Sequence, residues 1–362
     1  MLRTYRDAYE RLLPLVEKPG RYLGNERGTI RKDLAEVRLR FALASPEVYE
    51  IAQSHLGLQI LYDLLNRRPE VAAERAYAPW PDLEALLRTR GLPLVSLESH
   101  LALSDFHVVG FSLQYELTYT NLLTMLELGG ISLRAAARGP HDPLVIAGGP
   151  CAFNPEPLAP FLDGVLLGDG EEAVGDICDA VLAWDGQDRQ DLLRRLATIS
   201  GFYVPSLFAP RHEADGTLAA VVPLDPTRPR VAKRVLPDLD RVPPPANPVV
   251  PNVAVVHDRA SVEVMRGCVK GCRFCQAGYV YRPLRERNPE RVVADTTALL
   301  KNTGYEEVSL LSLSTGDYSG VNPVLKELMD RLTPERVAVS LPSTRVDALS
   351  PRILEQIRRV RK

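Results

Sequence analysis

The stretch MRGCVKGCRFCQAG, residues 265–278, holds three of the chain's five cysteines, Cys268, Cys272 and Cys275, spaced by three and two residues. Gly267, Gly271 and Gly278, and the cations Arg266, Lys270 and Arg273, interleave with the thiols. The i, i+4, i+7 spacing is also one stripe of a helix, so a packed apolar face is the first reading. Against it, each glycine weakens a helix by about 1 kcal/mol, and cations beside thiols are the surroundings of reactive or metal-binding cysteine. A zinc site is the second reading. Structural zinc takes four ligands, and His257, eleven residues before Cys268, is the nearest candidate for the fourth. An iron–sulfur cluster is the third reading. Four irons want four cysteines, so three leave one iron open to a substrate or cofactor.

Around this loop the chain reads as strands alternating with helices. SVEVMRG (261–267) is a strand running into the cysteines, which puts them at a strand's carboxyl end, where α/β barrels carry their chemistry. Asn288-Pro289-Glu290 predicts a helix start, with a cap, a first-turn proline and an acid, and Gly304 its stop. Strand 307–314, helix 322–332, strand 336–343 and helix 350–361 follow. The pattern is βαβαβα, the first half of a barrel, and an open third strand leaves an unsatisfied edge. The expectation is a truncated piece of a longer protein.

Upstream, after a helical lead-in (1–35), continuous apolar runs predict strands at 37–44, 92–97, 106–113, 143–149 and 163–168. Helices are expected at 55–66, 115–128 and 170–184. Runs without polar alternation imply strands buried on both faces, hence a parallel, doubly wound, Rossmann-like α/β domain over 36–203. Residues 204–260 are rich in proline and read as a connector to the segment 261–362.

With 362 residues, 45% hydrophobic and 25% charged, the chain has the composition of a globular protein with room for two domains. Its net charge of −2 gives no electrostatic reason to expect nucleic acid as a partner. No 18-residue apolar run predicts a membrane span, and the N-terminus lacks the pattern of a signal peptide. A cytoplasmic location is expected, where clustered cysteines read as metal-binding or catalytic rather than as a disulfide.

CVKGCRFC, with an aromatic before its last cysteine, resembles the signature of the radical S-adenosylmethionine (radical SAM) superfamily. The resemblance implies that Cys268, Cys272 and Cys275 ligate a [4Fe–4S] cluster and that Phe274 lies against the adenine of S-adenosylmethionine. The open iron then binds the cofactor's amino and carboxylate groups. A one-electron donor of flavodoxin or ferredoxin type drives its reductive cleavage to a 5′-deoxyadenosyl radical, which acts on a substrate that is not specified. Where the superfamily has Gly-Gly-Glu, this chain has STGD, so Gly316 and the shorter acid Asp317 take the place that holds the methionine amino group. Ser343 and Arg345, in LPSTRVD, are candidates for the ribose or carboxylate.

VHDRASVEVMRGC, QAGYVYRPLRER and SLLSLSTGDYSG resemble one subfamily, radical SAM proteins of unassigned substrate with a cobalamin-domain-like N-terminal part. For cobalamin the resemblance offers His55 as cobalt ligand or plain helix-start residue, with Gly148 and Gly149 in a later loop. DFHVVG (105–110) fits the Asp-x-His-x-x-Gly pattern of such domains, but places His107 in a strand rather than in the loop after the first. The competing class is a non-catalytic module with a structural or sensory cluster or zinc.

Overall fold

A computed structural model describes residues 3–226 and 230–360. The chain folds as two compact units, Met1–Arg234 and Val235–Lys362.

In the first unit, a short helix α1 (Arg6–Glu10) precedes strand β1 (Leu39–Ser45). Helices α2 (Tyr49–Ala52) and α3 (Leu56–Asn66), strand β2 (Val71–Tyr77) and helix α4 (Pro81–Arg90) follow. Then come β3 (Val108–Ser112), α5 (Tyr119–Leu128), β4 (Leu144–Gly148), β5 (Gly164–Leu166), α6 (Ala173–Leu182), α7 (Arg189–Leu196) and β6 (Phe202–Tyr203). The sheet order is β2-β1-β3-β4-β5-β6, parallel except for β6. Ala42, Ala44, Val109 and Val145 share a core with Leu83 and Leu87 of α4 and Leu122 and Met125 of α5. Helices α3 and α6 pack on one another and on β2 and β1 respectively. Helices thus cover both faces, as the unalternating apolar runs require. The order reverses between β1 and β3, which makes their carboxyl ends the switch point where such sheets bind ligands.

Two strand expectations are corrected. Residues 92–97 form no strand. Leu94, Val95 and Leu97 are buried, but the backbone makes scattered bonds, Leu94 N–H to Leu128 O and Leu97 N–H to Arg75 O, and a single bridge joins Val95 to Ala102. The missing strand is β2, VAAERAY, which carries Glu74 and Arg75 into the interior. Arg75 is ion-paired to Glu26 at 2.9 Å and Glu98 at 2.6 Å, and Glu74 accepts hydrogen bonds from the Ser96 and Ser99 hydroxyls. Arg75 is tolerable in the interior because two carboxylates match it, whereas Glu74 has neutral hydrogen-bond donors and burial, with Glu98 nearby, pushes its pKa up.

The stretch read as a connector begins with a hairpin, β7 (Phe208–His212) and β8 (Leu218–Pro223), within the first unit. Arg234 ends that unit, its backbone bridged to Gly168 and its guanidinium paired with Glu172 and Asp176.

The second unit holds β9 (Ala260–Glu263), the paired β10 (Met265–Arg266) and β11 (Arg285–Glu286), and between them α8 (Ala277–Val280). It continues with α9 (Pro289–Thr303), β12 (Glu307–Leu311), α10 (Val321–Leu332), β13 (Ala338–Ser340) and α11 (Pro351–Ile357). The sheet is parallel, ordered β13-β12-β9. Helix α9 starts and stops where its caps predict: Asn288 accepts from the Glu290 and Arg291 amides, and Gly304 takes a φ of 77°. The last helix is shorter than its predicted span, and Arg361 lies outside the described residues. Arg287, buried, donates to the carbonyls of Glu263, Leu239 and Val242, fastening the remaining connector against β9.

Candidate functional site

The cysteine loop leaves β9 through β10, and Gly267 makes the exit possible. Its φ is 89°, and a Cβ there would stand 2.5 Å from the Pro283 carbonyl oxygen and 2.7 Å from that of Tyr281. Only glycine fits both constraints. Gly271, at φ 65°, turns the loop again, and the Cys275 amide donates to the Cys272 carbonyl at 3.0 Å. All three thiols are free, with Cys272 exposed and Cys268 and Cys275 half-buried. Helix begins only after them, at Ala277, and Phe274 is 91% exposed, so the loop is not the stripe of a packed helix.

The loops after the other two strands come to the same end. Lys270, inside the cysteine loop, places its Nζ 2.8 Å from Asp317 Oδ1. Asp317 Oδ2 accepts from the Ser314 hydroxyl at 2.6 Å and faces Arg345 at 3.5 Å. Burial pushes the Asp317 pKa up, but the hydrogen bonds from Lys270 and Ser314, and the charges of Lys270 and Arg345, outweigh it and hold it below the usual value. Arg345 is also tied to Asp347. A Cβ on Gly316 would meet Ala348 Cβ at 2.7 Å and Thr344 Cγ2 at 3.0 Å, so the β12 loop sits tight on the β13 loop. Ser343 shapes that second loop through a left-handed φ of 55°. The structure therefore ties the cysteine loop, through Lys270, to Asp317 and Arg345; the sequence reading placed Lys270 among the loop's cations but did not pair it with Asp317. Its signal was a lone lysine between the first two cysteines.

Among the described residues no three His, Cys, Asp or Glu side chains converge tightly enough to hold a metal ion. His257, the proposed fourth zinc ligand, has its Nδ1 3.1 Å from the Arg259 guanidinium.

In the first unit, His55, Gly148 and Gly149 lie at the carboxyl ends of the strands. His55 caps α3, its Nδ1 accepting from the Leu58 amide at 3.1 Å. Burial lowers its pKa, and a hydrogen bond with the Gln114 side chain opposes that. Gln114 follows β3, across the switch point from β1, and was not singled out from sequence. Gly148 ends β4; Gly149, at φ 104°, approaches the Leu113 carbonyl so closely that a Cβ would lie 2.6 Å from its oxygen. His107 is elsewhere, at the amino end of β3, with both ring nitrogens against Arg40. Gln53 is in the buried network of Arg75, at 2.9 Å.

Comparison with known families agrees with this division. The model for "Radical SAM proteins, N-terminal" matches residues 57–205, and that for the "Radical SAM superfamily" matches residues 262–362. The chain belongs to the radical SAM superfamily, a superfamily of enzymes. The uncharacterized protein MJ0966 of Methanocaldococcus jannaschii is 25% identical over 256 residues, covering 70% of this chain and 48% of its own length. The threonylcarbamoyladenosine tRNA methylthiotransferase MtaB of Bacillus subtilis is 37% identical over 60 residues, 17% of this chain and 13% of that protein. Among solved structures, the radical S-adenosylmethionine methyltransferase TsrM from Kitasatospora setae, with cobalamin and a [4Fe–4S] cluster bound, superposes with a TM-score of 0.56 at 13% identity. That match covers 89% of this chain and 59% of TsrM, and it shows a shared fold. This chain spans about half the length of MJ0966. Among the described residues no helix is long and apolar enough to cross a membrane.

Proposed function

We propose that this chain carries the cluster and cofactor site of a radical SAM enzyme. The observation that supports it is that the loop bearing three free thiols is joined, through Lys270, to Asp317 and Arg345 in the loops that follow β12 and β13. The donor set suits a [4Fe–4S] cluster with one open iron: three free thiols on one glycine-bearing loop, one short of the four that would ligate every iron. Cys268, Cys272 and Cys275 hold the cluster. When bound, cluster and S-adenosylmethionine supply a 5′-deoxyadenosyl radical on receipt of one electron from an external flavodoxin- or ferredoxin-type donor.

The protein's share is to place and shield that chemistry. Arg345 offers a guanidinium fork to the methionine carboxylate, and Asp317 offers a carboxylate to the amino group. Phe274, free of packing in this structure, covers the adenine, while Gly316 and Ser343 keep the two loops in contact.

Cobalamin fits over the switch point of the first unit. Gly148 and Gly149 carry no side chain into the strand ends, as a large flat ligand needs, and TsrM, which shares the fold, binds it. His55 has one nitrogen committed to its helix cap and a bond to Gln114. Cobalt ligation by His55 therefore asks Gln114 to give way.

The test is anaerobic reconstitution with iron and sulfide, followed by reduction and electron paramagnetic resonance with and without S-adenosylmethionine. A reduced [4Fe–4S] signal that shifts with the cofactor is expected. A cluster indifferent to the cofactor, in this chain and in a longer form alike, overturns the reading.

A further inference from the structure

The Asp-x-His-x-x-Gly run of the first unit takes no part in the sites above, yet its first three residues, Asp105, Phe106 and His107, line an open cleft. This cleft lies at the amino end of the sheet, opposite the switch point, and has a volume of ≈ 640 Å³, the scale of small-molecule sites. Its walls include Phe106, Leu144, Leu182 and Trp184, and its polar lining includes Arg40 and His107.

The hydrogen bonding of His107 is internally mismatched. The Arg40 backbone amide donates to His107 Nδ1 at 3.0 Å, so that nitrogen carries a lone pair and no proton. In a neutral imidazole the proton then sits on Nε2. Burial, with the Arg40 charge beside it, keeps the ring neutral by lowering its pKa to about 4. Yet Nε2 stands 3.0 Å from Arg40 Nη2, a guanidinium nitrogen that can only donate. Two N–H donors therefore face one another with no acceptor between them. The Arg40 fork is not otherwise used up, since its Nε donates to the Asp105 carbonyl and the carboxylates acting on it, Asp105 and Glu74, do so through charge alone. Two other acids of the cleft each accept from a backbone amide, Asp142 from Gly139 and Asp185 from Gln187.

We propose that this cleft is a second ligand site, taking a small molecule with an oxyanion group, phosphate or carboxylate, attached to a flat apolar body. The oxyanion accepts from Arg40 Nη2 and His107 Nε2–H together, resolving the donor–donor contact by charge-assisted bonds. The flat body lies along Trp184.

The test uses the full chain carrying Trp80→Phe, so that Trp184 is the single fluorescent tryptophan left of the two. Titration with phenyl phosphate is compared with phenol and with inorganic phosphate. Saturable change with phenyl phosphate, at least roughly tenfold tighter than with either fragment, is expected from bonds to a charged group. Arg40→Met and His107→Asn should each weaken it by a similar factor. Asparagine keeps an acceptor for the Arg40 amide, so its melting temperature serves as the check that the fold is intact. No saturable change, binding of phenol as tight as of phenyl phosphate, or undiminished binding by both folded variants overturns the proposal.

Discussion

The ammonium of Lys270 stands 2.8 Å from Asp317 Oδ1, joining the loop that carries the cysteines to the loop after the neighbouring strand β12. Both side chains are partly exposed, at 34% and 24%, so solvent screens the pair and it adds little to stability. Its consequence is positional. It ties the Asp317 carboxylate to the cysteine loop with Arg345 at 3.5 Å, so that a carboxylate and a guanidinium stand side by side for an incoming ammonium and carboxylate.

Asp317→Asn removes the charge that Lys270, Ser314 and Arg345 all address. Iron and sulfide content should stay at the parental level, because the thiols are untouched. The cofactor concentration needed for the paramagnetic shift should rise roughly tenfold, the loss of one charge-assisted bond. A parental midpoint in the variant would remove Asp317 from the cofactor site.

Cysteine chemistry should separate the two units. Burial pushes the Cys151 thiol to about 11 and the Cys178 thiol to about 12, so both stay protonated and shielded at neutral pH. Iodoacetamide on the cluster-free native chain should label the loop cysteines first, by peptide mass spectrometry. Cys272→Ser should abolish cluster content, and Cys178→Ser should retain it. Equal labelling of all five thiols would contradict the packing described.

Acid should weaken the first unit through His100, which is 4% exposed. Burial, reinforced by the Arg6 charge, lowers its pKa to about 4. The unfolded chain protonates near 6.5, so between those values it binds more protons than the fold. Stability is therefore full above the unfolded value and falls as pH drops, by about 2 kcal/mol between pH 7 and pH 5 from this group. His100→Asn, which tolerates the left-handed φ of 55°, should flatten the pH slope of urea unfolding. A slope equal to the parent's would assign the loss elsewhere.

Arg75→Met strands Glu26 and Glu98 in the interior. Removing one partner of a buried pair costs about 3–5 kcal/mol, which should appear as a lower urea midpoint at pH 7. Adding Glu98→Gln should restore part of it, since one uncompensated charge is then gone. A double variant no better than the single would show that the network acts through shape instead.

Local pattern decided much of this protein. Asn288, Pro289 and Gly304 bound α9 because a cap, a fixed φ and a left-handed stop act over a few residues. The apolar runs at β1, β3, β4 and β5 read correctly because burial on both faces leaves no polar alternation. The three-cysteine spacing was enough to suggest the superfamily for the same reason, the whole pattern lying in one short loop. Tertiary structure decided the rest. VAAERAY can be a strand because residues distant in the chain satisfy its polar side chains: Glu26 and Glu98 pair with Arg75, and the Ser96 and Ser99 hydroxyls donate to Glu74. LPLVSL is not one, although its side chains are equally apolar, since no neighbour offers it a ladder. The meeting of Lys270 with Asp317, and of Arg40 with His107, depends on which strands lie side by side. Strand order is set by long-range packing, which no local window of sequence contains.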